Sequence, residues 1–158
     1  MKILCIGDIV GRPGRQAVSG LLPGLKKELG IDFVIANAEN SAGGSGITSR
    51  VAEEILNLDC QVLTMGDHVW DKPESLELLA HSKNIVRPAN FHPETPGKGW
   101  CIAETKAGSK IGVINLLGRV FMRYNVNCPF REIKNLADQI RKTTPIIVVD
   151  MHAEATSE

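Results

Sequence analysis

The chain has 158 residues, with 18 basic and 18 acidic side chains and a hydrophobic fraction of 43%. This length fits one domain with a sizeable core, and the zero net charge excludes the strongly basic surface of a typical nucleic-acid-binding protein. No apolar stretch reaches membrane-spanning length, and the one before Asp8 is too short for a signal peptide, so we expect a cytoplasmic protein.

The first half of the chain alternates short apolar strands with amphipathic helices. We predict strands at 3–6, 33–36, 62–65 and 85–87, and helices at about 15–29, 49–58 and 73–80. Pro23 and Gly24 are expected to kink or split the first helix, and Thr48 or Ser49 to cap the second. Such alternation favours a parallel sheet with right-handed crossovers.

The second half has a different pattern. An antiparallel hairpin is predicted from two strands at 100–105 and 110–116, which are joined through Ala107-Gly108. A helix follows, with Phe130, Ile133, Leu136 and Ile140 at helical spacing, and then an apolar strand at 146–149. No linker interrupts the pattern, so residues 1–158 are interpreted as a single domain. The four cysteines form no C-x-x-C pair, and Cys5 is expected to be buried in the core as a small apolar residue.

Polar clusters follow the predicted strands. They comprise Asp8, Glu39, Asn40, Asp67, His68, Asp150 and His152. Asp8, Glu39 and His68 recur about every thirty residues, the length of one βαβ unit, which predicts that they meet at the ligand-binding edge of the sheet. Crowded carboxylates require a cation, and oxygen ligands mixed with imidazole suit iron, manganese or zinc. Two such ions about 3.5–4 Å apart form a recurrent phosphoester-cleaving centre.

Each residue also has a plain structural interpretation. Asp8 alone could be a turn or cap residue, Asp67-His68 a turn, and His152 a hydrogen-bond partner of Asp150. His81, at a helix end, is interpreted as structural, and His92 is not expected to be a ligand.

Other motifs define the alternatives. The chain has no dinucleotide fingerprint, no P-loop and no G-x-S-x-G motif. Arg12, Arg15, Arg119 and Arg123 could hold phosphate or be solvated surface residues. The rival hypothesis is a non-catalytic nucleotide- or phosphate-binding α/β module that uses the glycine loops and Arg12, and its binding would survive a chelator.

Several blocks together resemble one known family along the whole chain. They are Gly7-Asp8-Ile9-Val10-Gly11-Arg12-Pro13-Gly14-Arg15, Ala38-Glu39-Asn40, Thr64-Met65-Gly66-Asp67-His68-Val69-Trp70-Asp71, Arg87-Pro88-Ala89-Asn90-Phe91 and His152-Ala153-Glu154-Ala155-Thr156-Ser157-Glu158. The chain resembles the YmdB family, a bacterial branch of the calcineurin-like metallophosphoesterases.

The resemblance implies an αββα sandwich with a mainly parallel sheet and an antiparallel hairpin. It implies a centre of two metal ions, with iron or manganese favoured over zinc. The implied reaction is hydrolysis of a small phosphodiester, namely a 2′,3′-cyclic nucleotide, by a metal-bridging hydroxide.

Residue roles follow by position. Asp8 looks like a ligand of one metal and Glu39 like the bridging ligand, while Asp67 and His152 look like ligands of the second metal. Asn40 looks like a ligand or phosphate contact, and His68 like the general acid. Arg12 is the further candidate for substrate binding.

Two departures from the family pattern matter. Asp67 stands where the family commonly has Asn. Family members also continue past Glu158, with further histidine ligands, so we expect a truncated domain that binds metal weakly and turns over little. Homo-oligomerisation is left open, and no membrane partner is expected.

Overall fold

Two β-sheets lie face to face in the computed structural model, which describes residues 1–158. The elements in chain order are β1 (Ile3–Ile6), α1 (Gly11–Leu29), β2 (Phe33–Asn37), α2 (Ser49–Leu56), β3 (Val62–Thr64), α3 (Ser75–His81), β4 (Ile85–Val86), β5 (Trp100–Glu104), β6 (Lys110–Leu117), α4 (Pro129–Ile140) and β7 (Ile147–His152). The first sheet is entirely parallel, in the order β1-β2-β3-β4. In the second sheet β5 and β6 form the expected antiparallel hairpin, and β7 pairs with β6 in parallel.

Side-chain alternation along β2 shows how the layers are built. Val34 and Ala36 pack into the cluster beneath the helices, whereas Phe33 and Ile35 pack into the cluster between the sheets. Successive strand residues point to opposite faces, so a strand buried on both faces must be apolar throughout. A third cluster, which includes Ile140, lies between the second sheet and α4. The predicted αββα layering is therefore confirmed.

Two helix predictions were wrong in detail. Helix α1 starts at Gly11 and continues through Pro23 without a break. Proline removes the bond to the carbonyl of Ser19, but both residues are exposed, so water can satisfy that carbonyl. In α4, Phe130 is 65% exposed rather than part of the apolar stripe, because the stripe meets the sheet only from Ile133 onward. The predicted cap of α2 is confirmed, since the Thr48 hydroxyl accepts from the Val51 N–H at 3.3 Å.

The edges of the two sheets also differ from expectation. Strand β7 extends to His152, so Asp150 and His152 lie within it rather than after it. Cys5 was expected in the core but is exposed, because β1 is an edge strand whose inter-sheet face is only partly covered by the second sheet. None of the four helices combines the length and apolar composition that a bilayer crossing requires.

Candidate metal centre

Glu39 lies at the centre of the predicted polar cluster. It lies two residues after the end of β2 and is only 1% exposed. One carboxylate oxygen, Oε2, accepts the backbone N–H of His68 at 3.1 Å. The other, Oε1, lies 3.0 Å from His152 Nε2 and accepts Asn40 Nδ2 at 3.3 Å. The carboxylate is thus fixed by residues from three separate parts of the chain.

The loop after β3 brings Asp67 and His68 to this carboxylate. Asn37 pairs with Thr64 in the parallel register, so the loops after β2 and β3 leave the sheet side by side. One ligand atom from each of Glu39, Asp67 and His152 lies within 4.8 Å of the others. The predicted convergence of these three residues is therefore present in the fold.

His152 reaches the centre from the second sheet. Its Nε2 lies 3.5 Å from Asp67 Oδ1, and its Nδ1 lies 3.4 Å from Asn37 Nδ2. The hydrogen bond and the negative charge of Glu39 raise the pKa of His152 and outweigh the opposing effect of burial.

Asp150 does not join the centre. It points to the same face of β7 as His152, but its carboxylate accepts a hydrogen bond from the Thr64 hydroxyl between the two sheets. The expectation that all strand-end acids gather at one place was therefore wrong for this residue. The reason is that Asp150 lies two residues before the end of β7, where the first sheet still covers it.

Asp8 and Asn40 form the more open side of the centre. Asn40 Nδ2 donates to Asp8 Oδ2 at 2.7 Å, and the Asn40 carbonyl accepts the N–H of Gly11 at 2.8 Å. Asp8 itself is exposed. Arg12 lies next to Gly11 at the start of α1, where its side chain is exposed and hydrogen-bonds to no residue of the centre.

The electrostatics of the centre fit a bound cation. Burial alone would raise the pKa of Glu39, but the hydrogen bonds and charges of His152 and His68 lower it overall, which keeps the carboxylate ionised. No lysine or arginine pairs with Glu39 or Asp67 within 4.0 Å; their ion-pair partners are imidazoles. Negative charges packed together without a basic partner repel unless a positive ion lies among them.

Two buried polar atoms support the same conclusion. Asn40 Oδ1 and His68 Nδ1 have no hydrogen-bond partner; His68 Nδ1 lies 3.5 Å from Glu39 Oε1 but without hydrogen-bonding geometry. Buried polar atoms are nearly always satisfied. Carboxylate oxygen, amide oxygen and imidazole nitrogen are the donor set that iron, manganese and zinc accept, so Glu39, Asp67, Asn40 and His152 fit a metal ion.

Gly66 makes the close approach possible. A Cβ at this position would lie 2.1 Å from Glu39 Oε2 and 2.5 Å from His152 Cδ2. No sequence pattern indicated this constraint, because Gly66 looked like an ordinary turn residue before Asp67.

Asn115 and Asn37 are supporting residues that the sequence analysis missed. Asn115 is fully buried in β6; its Oδ1 accepts the N–H of Met65, and its Nδ2 donates to the Asp150 carbonyl. Asn37 accepts the N–H of Glu39 at 3.1 Å. Asn115 was missed because its partners Met65 and Asp150 are 50 and 35 residues away in sequence.

The chain is similar in sequence to known proteins of one family. A sequence model described as "YmdB-like protein" matches residues 4–158. The chain is 44% identical to the 2′,3′-cyclic-nucleotide 2′-phosphodiesterase of Bacillus subtilis (strain 168), with 100% of the chain and 59% of that protein aligned. It is 34% identical to a putative phosphatase/phosphodiesterase of Mycoplasma genitalium, with 100% of the chain and 57% of that protein aligned.

Solved structures agree with the fold. A hypothetical protein from Thermus thermophilus superposes with a TM-score of 0.90 at 37% identity, covering 100% of this chain and 60% of that one. A novel phosphatase from Mycoplasma pneumoniae superposes with a TM-score of 0.88 at 31% identity, covering 99% and 57%. The chain thus spans somewhat less than two thirds of the length of these relatives. Because the family model covers nearly every residue, the chain belongs to the YmdB-like protein family.

Proposed function

We propose that this chain carries the metal-binding core of a phosphodiesterase that hydrolyses 2′,3′-cyclic nucleotides. The observation that carries the proposal is the convergence of Glu39, Asp67 and His152 within 4.8 Å, without a lysine or arginine paired to either acid. The name of the Bacillus subtilis relative, a 2′,3′-cyclic-nucleotide 2′-phosphodiesterase, supports the choice of substrate.

The residues divide into two groups around Glu39. Asp67 and His152 would hold one ion together with Glu39, and Asp8 with Asn40 would contribute to a second ion on the open side. Bound iron, manganese or zinc ions supply Lewis-acid polarisation of a phosphoryl oxygen and a water of lowered pKa.

His68 is the proposed general acid. Its backbone N–H is fixed by Glu39 Oε2 and its Nδ1 is buried near Glu39, so Nε2 is the nitrogen left to face a substrate. The imidazole is 36% exposed, which allows it to reach a ligand from solvent. In the proposed reaction a water oxygen adds to phosphorus as the bond from phosphorus to the 2′ oxygen breaks. His68 Nε2 delivers a proton to that departing oxygen, and the product is a 3′-nucleotide.

Hydrolysis of 2′,3′-cyclic AMP with Mn²⁺ or with EDTA tests the proposal. We expect formation of 3′-AMP that depends on Mn²⁺ and stops in EDTA, because the proposed reaction requires bound metal ions. His68→Ala should lower kcat by about 10²–10⁴-fold, whereas His81→Ala, which removes an exposed helix-end imidazole, should change nothing. Nucleotide binding that persists in EDTA, without any product, would instead favour the non-catalytic binding module.

A further inference from the structure

The segment between β6 and α4 begins at the metal centre. Gly118, the first residue after β6, is buried and donates its N–H to the carbonyl of His152 at 2.8 Å. The next two N–H groups, those of Arg119 and Val120, donate to the carboxylate of Glu158. The start of the segment is therefore attached directly to the strand end that carries a proposed metal ligand.

The middle of the same segment, which covers residues 118–128, is attached to the loop that carries Asp67 and His68. Arg123 Nη1 lies 2.7 Å from Asp71 Oδ1, and the Ser45 hydroxyl donates to the other oxygen of Asp71. The Arg123 guanidinium stands 5.3 Å from the centre of the Tyr124 ring, which packs edge-on against Phe91 at 5.4 Å. Residues 118–123 therefore connect the end of β7, which carries His152, to the loop after β3, which carries Asp67 and His68.

Phe121, between these anchors, has two unusual properties. Its side chain is 86% exposed, the highest value among the exposed large hydrophobic residues. Its backbone φ is 61°, a left-handed conformation that is rare for a bulky residue. Water-exposed apolar area and an uncommon backbone conformation both cost free energy, and such outliers concentrate at ligand-binding sites.

We propose that Phe121 is the stacking surface for the base of the nucleotide, an inference that rests on the proposed function. An aromatic ring can stack on any base, because every base presents a π-face. Arg119 lies two residues before Phe121 and adds positive charge beside an anionic ligand. One ring on a short loop offers far less area than the roughly 1,600 Å² of a standard protein–protein interface, so a small aromatic ligand suits it better than a protein partner.

Calorimetry with two probes in the presence of Mn²⁺ tests this subsite. One probe is 3′-AMP, which has a base, and the other is ribose 3-phosphate, which has none. Phe121→Ala should weaken 3′-AMP binding about tenfold and leave ribose 3-phosphate binding unchanged. Phe121→Trp should keep or strengthen 3′-AMP binding. Phe130→Ala, which removes another exposed phenylalanine on α4, is the matched control and should alter neither affinity.

The outcomes separate the two hypotheses. If Phe121→Ala leaves the ratio of the two affinities unchanged, whether both stay the same or both fall equally, the stacking role is refuted and the proposed function remains intact. If the unaltered chain binds neither probe with Mn²⁺ present, the proposed function fails, and the subsite fails with it. Phe121 is exposed, so thermal unfolding should confirm that the variant remains folded.

Discussion

The negative charge of the carboxylates is balanced differently in two acidic regions of this molecule. Asp59, in the turn after α2, has Lys26 Nζ and Lys106 Nζ each at 2.7 Å from its Oδ2. Glu39, buried beside Asp67, has no basic partner except imidazoles. The carboxylate of Asp59 is neutralised by the protein itself, and its pKa is lowered chiefly by Lys106 and Lys26.

The contrast separates a structural acid from a functional one. An ion pair that is complete within the chain stabilises the fold and leaves no place for a ligand. The region around Glu39 combines buried negative charge with an unpartnered amide oxygen, Asn40 Oδ1. Such an arrangement is stable when an external cation supplies the missing partner.

The largest expected effect is on metal binding when Glu39 is neutralised. Glu39→Gln should weaken Mn²⁺ binding by more than about 100-fold. Mutation of a residue that only hydrogen-bonds to a metal ligand already lowers metal affinity by about 10–100-fold, and loss of a ligand itself should cost more. Asp59→Asn makes the same carboxylate-to-amide change in the other acidic region and should leave the affinity unaltered. Isothermal titration calorimetry measures both. If both variants lose Mn²⁺ affinity equally, the distinction between a structural acid at Asp59 and a metal-binding acid at Glu39 is wrong.

A substitution at Gly66 tests the metal centre by adding volume rather than by removing charge. Gly66→Ala should weaken Mn²⁺ binding strongly and lower the free energy of unfolding by about 1–3 kcal/mol, because its Cβ would collide with Glu39 and His152. Gly20→Ala is the matched control: a Cβ there meets nothing within 4 Å, and alanine should stabilise α1 by about 0.5–1 kcal/mol. Urea denaturation and calorimetry together check the prediction, which fails if Gly66→Ala binds Mn²⁺ normally.

Asp8 should show a smaller effect than Glu39. Asp8→Asn removes one charge from the open side, where the residue is exposed and its side chain bonds to Asn40. We expect Mn²⁺ binding to weaken about tenfold, with the protein otherwise folded. An affinity loss as large as that of Glu39→Gln would mean that the open side is as essential as the buried one.

The smallest effect concerns the stability of the Asp59 region. Asp59→Asn should lower the free energy of unfolding by about 0.5–1 kcal/mol at neutral pH, as expected for exposed ion pairs. Asparagine tolerates the left-handed backbone at this position, where φ is 64°.

The pH dependence of this effect has a definite sign. The pKa of Asp59 is lower in the fold than its ordinary value of 3.8. The stabilisation is therefore present above that ordinary value and is lost as the pH falls through the folded pKa. The two proteins should differ in urea midpoint at pH 7 and converge in strong acid. A difference that grows on acidification would contradict the ion-pair origin.

Much of the architecture followed from sequence pattern. The apolar run at 33–36 predicted a strand, and the spacing of about thirty residues predicted strand ends that meet at one edge of a parallel sheet. These signals are local, so Glu39 and Asp67 were placed correctly at the same edge. The end of β7 was misplaced because Asp150 is polar, although the backbone continues in the strand to His152.

The chain's sequence by itself determined which residue types stand at the strand ends, because alternation and strand spacing act over short distances. Only the tertiary structure decided that His152 of the second sheet meets Glu39 of the first, while Asp150 bonds to Thr64 instead. It also decided that Gly66 must lack a side chain. These outcomes depend on how the two sheets pack, and packing brings together atoms whose separation along the chain carries no local signal.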